Sequence, residues 1–297
     1  MAYRFFADST VEANVHRILG EQLEGAIDQL SNQLQSTPDR AIHDARKHLK
    51  KGRSLLRLVR KSMARETYRL EENRLRDQGR LLAPCRDSEV YQHTLDDLLD
   101  TYGLTLDTHG FTDLRASLAK RHQVQLAALT DRDIPMAAII GELRGSKARL
   151  NQLALDKSGW EALAKNLKRI YRQGQARYQS ACDSDSPEAF HQWRKRVKDL
   201  WHDTCLLRQL WPPIMTAFSK ETHRLTKILG DEHDITALRR FLLKHSEEVA
   251  IEEVQLQVLL PLMEHRQHRL RRQARELGQK LYCETAAAFT HRIAAYW

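Results

Sequence analysis

Glycine and proline are scarce in this chain, 12 and 7 residues of 297. The dense turn punctuation of a sandwich or barrel is therefore missing, which argues against a β-rich fold. Cysteine is rarer still. Cys85, Cys182, Cys205 and Cys283 stand far apart with no CxxC pair, so neither a disulfide framework nor a zinc cluster is suggested, and reduced thiols are expected. No run of about 18 apolar residues occurs, which excludes a transmembrane helix and gives no membrane partner. The opening MAYRFFADSTVEANVHRIL lacks the basic start and unbroken apolar stretch of a signal peptide. A cytoplasmic location is the expectation.

Charge, by contrast, is abundant. Charged residues make up 29% of the chain, the net charge is +9 and the pI is about 9.4. A hydrophobic content of 41% still suffices for a core. The cations are clustered: residues 40–61 hold nine Arg or Lys against the single Asp44, whereas 95–107 is acidic. Such clustering points to an anion site rather than to general solubility.

Helical periodicity runs from residue 10 onward. The first half should contain helices over about 9–35, a basic helix opened by Thr37-Pro38, then 65–83, 87–102, 111–129 and 136–155, with the turn DRDIP between the last two. The second half should hold a helix over 158–181, a second basic helix capped by Ser186-Pro187, helices at 213–229 and 232–246, a long one over 250–282 and a last one to the C-terminus.

The two basic helices repeat one design. HDARKHLKKGRSLLR begins at His43 and HQWRKRVKDLWHDTC at His191. Each has Arg three, Lys four and Lys seven residues after the His, and at about 100° per residue these share a face. That face carries His43, Arg46, Lys47, Lys50, Arg53 and Arg57 in the first copy. In the second it carries His191, Arg194, Lys195, Lys198 and His202. Ile42, Ala45, Leu49, Leu56 and Val59, then Phe190, Trp193, Val197, Leu200 and Leu207, fall well round the helix and should be buried. Further along, LLAPCRDSEV (81–90) aligns with ILGDEHDITA (228–237), matching Arg86-Asp87 to His233-Asp234. The repeat predicts an all-α protein: two pseudo-symmetric helical bundles from an internal duplication, about 1–155 and 156–297, with one large polyvalent anionic ligand held between them.

At these residues the chain resembles the CHAD family, the conserved-histidine α-helical domain. The two H-x-x-R-K-x-x-K segments, Arg86-Asp87 and LGDEHD at 229–234 carry the resemblance, which spans essentially the whole chain as one free-standing domain. It implies two helical bundles around a basic channel, binding of inorganic polyphosphate and, in bacteria, association with polyphosphate granules. No ExExK motif is present, so the triphosphate tunnel hydrolase fused to some members is not implied. Asp199 and Trp201 stand where the first copy has Lys51 and Arg53, so the second half is expected to contribute less charge.

Like charges at i,i+4 cost a helix about 0.2–0.5 kcal/mol per pair. The first helix carries several without acidic neighbours on that face, and tolerating the repulsion twice suggests an anion that neutralises it. The expected polyphosphate contacts are therefore His43, Arg46, Lys47, Lys50, Arg53, Arg57, Arg86, His191, Arg194, Lys195, Lys198, His202 and His233. Arg80, Arg224 and Lys227 are weaker candidates, and Asp87 and Asp234 read as acids that cap a helix or complement its dipole. His265 and His268 lack an HExxH frame, so no metal site is expected, and no cofactor motif is present. GELRGSK (141–147) is one residue short of a phosphate loop, with Ala148 in place of the hydroxyl residue. The Arg-rich stretch 266–277 spreads its cations around its helix. No Ser/His/Asp or Cys/His grouping presents itself, so no catalysis is expected. Two rival classes use the same cations. A nucleic-acid-binding protein would want exposed aromatic rings for stacking, and a metal-dependent polyphosphatase would want convergent carboxylates, of which only Asp44, Asp87, Asp199 and Asp234 lie near the motifs.

Overall fold

The computed structural model describes residues 3–103, 108–130, 136–249 and 251–297. Among them the chain forms eleven α-helices and no strand, bearing out the all-α expectation. The helices are α1 (Val11–Asp28), α2 (Pro38–Val59), α3 (Arg65–Leu81), α4 (Ala83–Tyr102), α5 (Thr112–Thr130), α6 (Met136–Leu150), α7 (Glu161–Ser184), α8 (Pro187–Leu206), α9 (Pro212–Lys244), α10 (Glu253–Leu281) and α11 (Ala286–Ala294). The DRDIP turn lies outside the described residues.

Local chemistry sets several of these ends. Ser186 accepts the Ala189 N–H at 3.2 Å and so caps α8, with Pro187 in the first turn. Thr37 behaves differently from the expectation. Its hydroxyl turns back to the Gln33 carbonyl, which leaves the first turn of α2 without a side-chain cap. The helix expected over 9–35 ends as a wider π-type turn at Gln29–Gln33.

The largest departure is α9. Two helices separated near Gly230 were expected, and one continuous helix of 33 residues is found. Glycine inside a helix costs about 1 kcal/mol relative to alanine, but burial on either side outweighs it here. Met215, Leu225 and Leu229 sink into one apolar cluster, and Ile235, Leu238, Phe241 and Leu242 into another. The first cluster draws on α1–α3, α6–α9, α11 and the end of α10, with Cys85 of α4 and Leu129 of α5, around Trp193, Tyr171, Phe190 and Phe289; the second joins α4, α5, α9 and α10. Each cluster takes helices from both halves of the sequence. The apolar faces expected for α2 and α8 are buried as read, with Ile42, Ala45, Leu56, Phe190, Trp193 and Val197 fully inaccessible.

Two glycines give a contrasting test of this packing. A Cβ on Gly278 would lie 2.6 Å from the Trp193 ring and 2.8 Å from that of Tyr178, whereas one on Gly230 would meet nothing within 4 Å. Gly278→Ala should lower stability by about 1–3 kcal/mol, and Gly230→Ala should raise it by about 0.5–1 kcal/mol. Denaturant unfolding of the two variants checks both signs.

Candidate functional site

The polar faces of α2 and α8 meet across a cavity of about 540 Å³, closed by the start of α4 and the middle of α9. Seven Arg or Lys, four His and only two Asp line it. From the first half come His43, Arg46, Lys47, Lys50 and Arg86; from the second, Arg194, Lys198, His202, His223, Lys227 and His233.

These cations hold one another in an unfavourable state. Lys50 is open to solvent along the cavity, yet protein surrounds most of its length. Desolvation, then Lys198, Arg46, Arg194 and Arg86, push its pKa well below the ordinary lysine value. Lys198 is held down to about 8 by burial and then by Arg194, only partly offset by Asp234. His233 is lowered to about 3 by burial, Arg194 and His191, and stays a neutral imidazole. His202 sits at the back of the cavity, 3% exposed, with both ring nitrogens unpartnered. Burial and Lys198 hold it well below the usual histidine range. The Nε groups of Arg46 and Arg194 are likewise buried donors without acceptors. Preorganised donors and an excess of positive charge converge here from both halves, although Arg86 is paired with Glu89 and Lys47 with Asp44.

The family model for the CHAD domain matches residues 17–243. The chain belongs to the CHAD family. No curated protein matches it. Among solved structures, it is similar to the CHAD domain from the plant Ricinus communis, with a TM-score of 0.67 at 18% identity over 99% of this chain and 95% of that one. It is also similar to PptA from Streptomyces chartreusis, with a TM-score of 0.63 at 14% identity over 93% of this chain and 100% of that one. At these identities the likeness is one of fold.

Of the thirteen contacts read from the sequence, nine line the cavity of this CHAD domain: His43, Arg46, Lys47, Lys50, Arg86, Arg194, Lys198, His202 and His233. Four do not. Arg53 binds Glu72 of α3 through its Nε at 3.0 Å. Arg57 reaches Glu72 at 3.3 Å and Asp199 of α8 at 2.7 Å. Burial alone would lower the Arg57 pKa, but Asp199 and Glu72 outweigh it and hold the guanidinium charged. His191 stands behind His233, their rings stacked 4.4 Å apart and their Nδ1 atoms 3.1 Å apart. Lys195 is exposed beside Gln192.

The expected imbalance between halves keeps its direction but is small, and its stated cause is absent. Asp199 does not weaken the second half's share of the cavity; it neutralises Arg57 of the first half and lies 3.1 Å from Arg196. Four Arg or Lys from the first half face three from the second. The capping assignment of the two acids also fails, since Asp234 lies mid-helix in α9 and Asp87 in the second turn of α4. Both line the cavity, and desolvation raises both pKa values against the pull of the surrounding cations. His223 escaped the sequence reading and Lys227 was ranked low. They stand four apart on α9, and projecting that helix from Asp234 would have placed them on its face. Of the LGDEHD segment only His233 and Asp234 line this cavity. Glu232 turns to Arg271 of α10 at 2.7 Å, and Asp231 lines a separate carboxylate-rich cavity with Asp97 and Asp100.

Proposed function

We propose that this CHAD protein binds inorganic polyphosphate in the cavity between α2, α4, α8 and α9, without cleaving it. The observation that carries the reading is the convergence of Arg46, Lys50, Arg194 and Lys198 in one cavity, where burial first and then the neighbouring cations depress both lysine pKa values and the only acids in the lining are Asp87 and Asp234. Such an arrangement is costly when empty and is relieved by a polyanion spanning both halves. Polyphosphate carries roughly one charge per residue and no bases, so rows of cations and neutral imidazole donors suffice to hold it. Family membership agrees, because CHAD domains as a group are associated with polyphosphate. Location at polyphosphate granules would follow from retention of that ligand.

Nucleic acid is the less suited polyanion. The rings at the cavity are already engaged: Trp201 lies against His223 at 4.3 Å and His202 at 4.7 Å, and Tyr91 stacks on Phe241 at 4.6 Å. Long-chain polyphosphate should therefore compete out single-stranded and duplex DNA of matched charge at about 150 mM salt. Its log affinity should fall linearly with log salt, with a slope of several ions. DNA binding as tightly under these conditions would overturn the assignment, and phosphate release dependent on magnesium would overturn the non-catalytic reading.

A pH signature follows from the lysines. Lys198 titrates near 8 in the empty protein, and a bound polyanion returns it toward the ordinary lysine value of about 10.4. Binding at pH 9 should then take up about one proton or more, because Lys50 is shifted in the same direction. Affinity should weaken as pH rises from about 8 to 10. Titration calorimetry in two buffers of different ionisation enthalpy measures the uptake directly.

A further inference from the structure

In the first half of the chain, three helices bring together donors that sequence spacing does not connect. Asp39 lies in the first turn of α2, Cys85 in the first turn of α4 and His122 on α5, 46 and 37 residues apart along the chain. One ligand atom from each lies within 4.8 Å of the other two. A tetrahedral zinc with bonds of 2.0–2.3 Å separates its ligand atoms by about 3.3–3.8 Å, so small side-chain movements would close the set.

The hydrogen bonds around His122 point the same way. Ser88 donates its one hydroxyl proton to the Cys85 carbonyl at 2.7 Å, so its oxygen can only accept from His122 Nδ1 at 3.0 Å. That contact places the proton of a neutral ring on Nδ1 and leaves Nε2 as a bare lone pair. Nε2 faces Asp39 Oδ1 at 2.9 Å; both atoms are out of contact with water and neither has a hydrogen-bond partner. Two acceptors held this close need a cation between them, a proton on Nε2 or a metal ion, and the Cys85 sulfur within 4.8 Å of both favours the metal. An imidazole whose far nitrogen is fixed by a hydroxyl, with its near nitrogen free, is the arrangement a metal-ligating histidine needs.

We propose that Asp39, Cys85 and His122 form a zinc site with a fourth position open to water. The donor set is one thiolate, one imidazole and one carboxylate, which suits a borderline-soft dication. Binding converts the Cys85 thiol to thiolate and releases its proton to solvent. The Asp39 side chain is 43% exposed and gives the ion an entry path, whereas Cys85 and His122 are buried. Ser88, His122 and Asp39 also stand in the order of a hydrolytic triad, a grouping the sequence did not reveal. Ser88 is 3% exposed and gives its proton to a carbonyl, so it has neither access nor a base positioned to activate it. The ion would tie the start of α2 to the start of α4, from which His43 and Arg86 enter the basic cavity. The site is independent of what that cavity binds.

Cobalt titration of the full chain, freed of metal by chelator and kept free of polyphosphate, tests the site. One equivalent of Co²⁺ should give a thiolate-to-cobalt charge-transfer band with tetrahedral ligand-field bands, and Zn²⁺ should abolish both. Cys85→Ser should remove the charge-transfer band and His122→Gln should weaken binding at least tenfold, while Cys283→Ser leaves both unchanged. Circular dichroism reports whether each variant is folded. For the unmutated protein loaded with one zinc, X-ray absorption should show one sulfur among nitrogen and oxygen ligands. Cobalt binding without the thiolate band, a band that survives Cys85→Ser, or a zinc shell of nitrogen and oxygen alone would each overturn the proposal.

Discussion

Glutamine at both Lys50 and Lys198 is expected to make the empty protein more stable and its polyphosphate binding far weaker. Each lysine is forced toward its neutral form by burial and then by cations from both halves, Lys198 and Arg46 foremost for Lys50 and Arg194 for Lys198. The sign follows from linkage. A lysine whose folded pKa is depressed favours the unfolded state at every pH below its folded value, and this penalty fades between about pH 8 and 10.5. Removing the charges at pH 7 should therefore raise stability on the order of 2 kcal/mol, a few degrees in melting temperature. The same change removes two charge-assisted contacts, each worth about 1.5–3 kcal/mol when well buried, so affinity should fall at least a hundredfold. Thermal shift shows both effects together. In the native protein, polyphosphate at a hundredfold excess over its dissociation constant adds about 2.7 kcal/mol. Orthophosphate at equal concentration adds less, because it cannot bridge the two halves. A double variant that is less stable when empty, yet binds normally, would assign the two lysines to structural ion pairs.

The opposite pattern is expected for Arg57, which shares the sequence face of Lys50. Arg57→Gln leaves Asp199, with a side chain 5% exposed, without its closest partner. Breaking a buried pair costs about 3–5 kcal/mol, and the lower end applies because Arg196 stays 3.1 Å from the same carboxylate. Polyphosphate affinity of the folded variant should stay within about threefold of the native value, since Arg57 does not line the cavity. Chemical denaturation paired with a binding titration separates the outcomes. A large loss of affinity at unchanged stability would return Arg57 to the site.

The contrast between Lys50 and Arg57 marks how far the sequence could be read. Helical periodicity located the basic faces of α2 and α8 and the apolar faces opposite them, because both properties repeat within one helix. It could not show that Glu72 and Asp199 arrive from α3 and α8 to take up Arg53 and Arg57, since those meetings depend on tertiary packing. His191 lies on the expected face but is covered by His233, which no single-helix projection reveals. The error at Asp234 came from Gly230, read as a helix end where Leu229 and Ile235, anchored in separate apolar clusters, carry the helix through. Asp39, Cys85 and His122 carry no pattern at all, because each sits on a different helix.

Helix α9 has a mechanical consequence for the basic cavity. It extends about 50 Å as an unbroken rod, with its first part embedded in one apolar cluster and its last part in the other. His223, Lys227, His233 and Asp234 occupy its middle. A hinge between the two clusters would have to bend this rod at the binding residues themselves, where its backbone hydrogen bonds resist kinking. The jaws therefore keep a fixed gauge. Under the proposed function, a chain ligand would slide in along the groove rather than be clamped, and would not incur the ordering cost of domain closure.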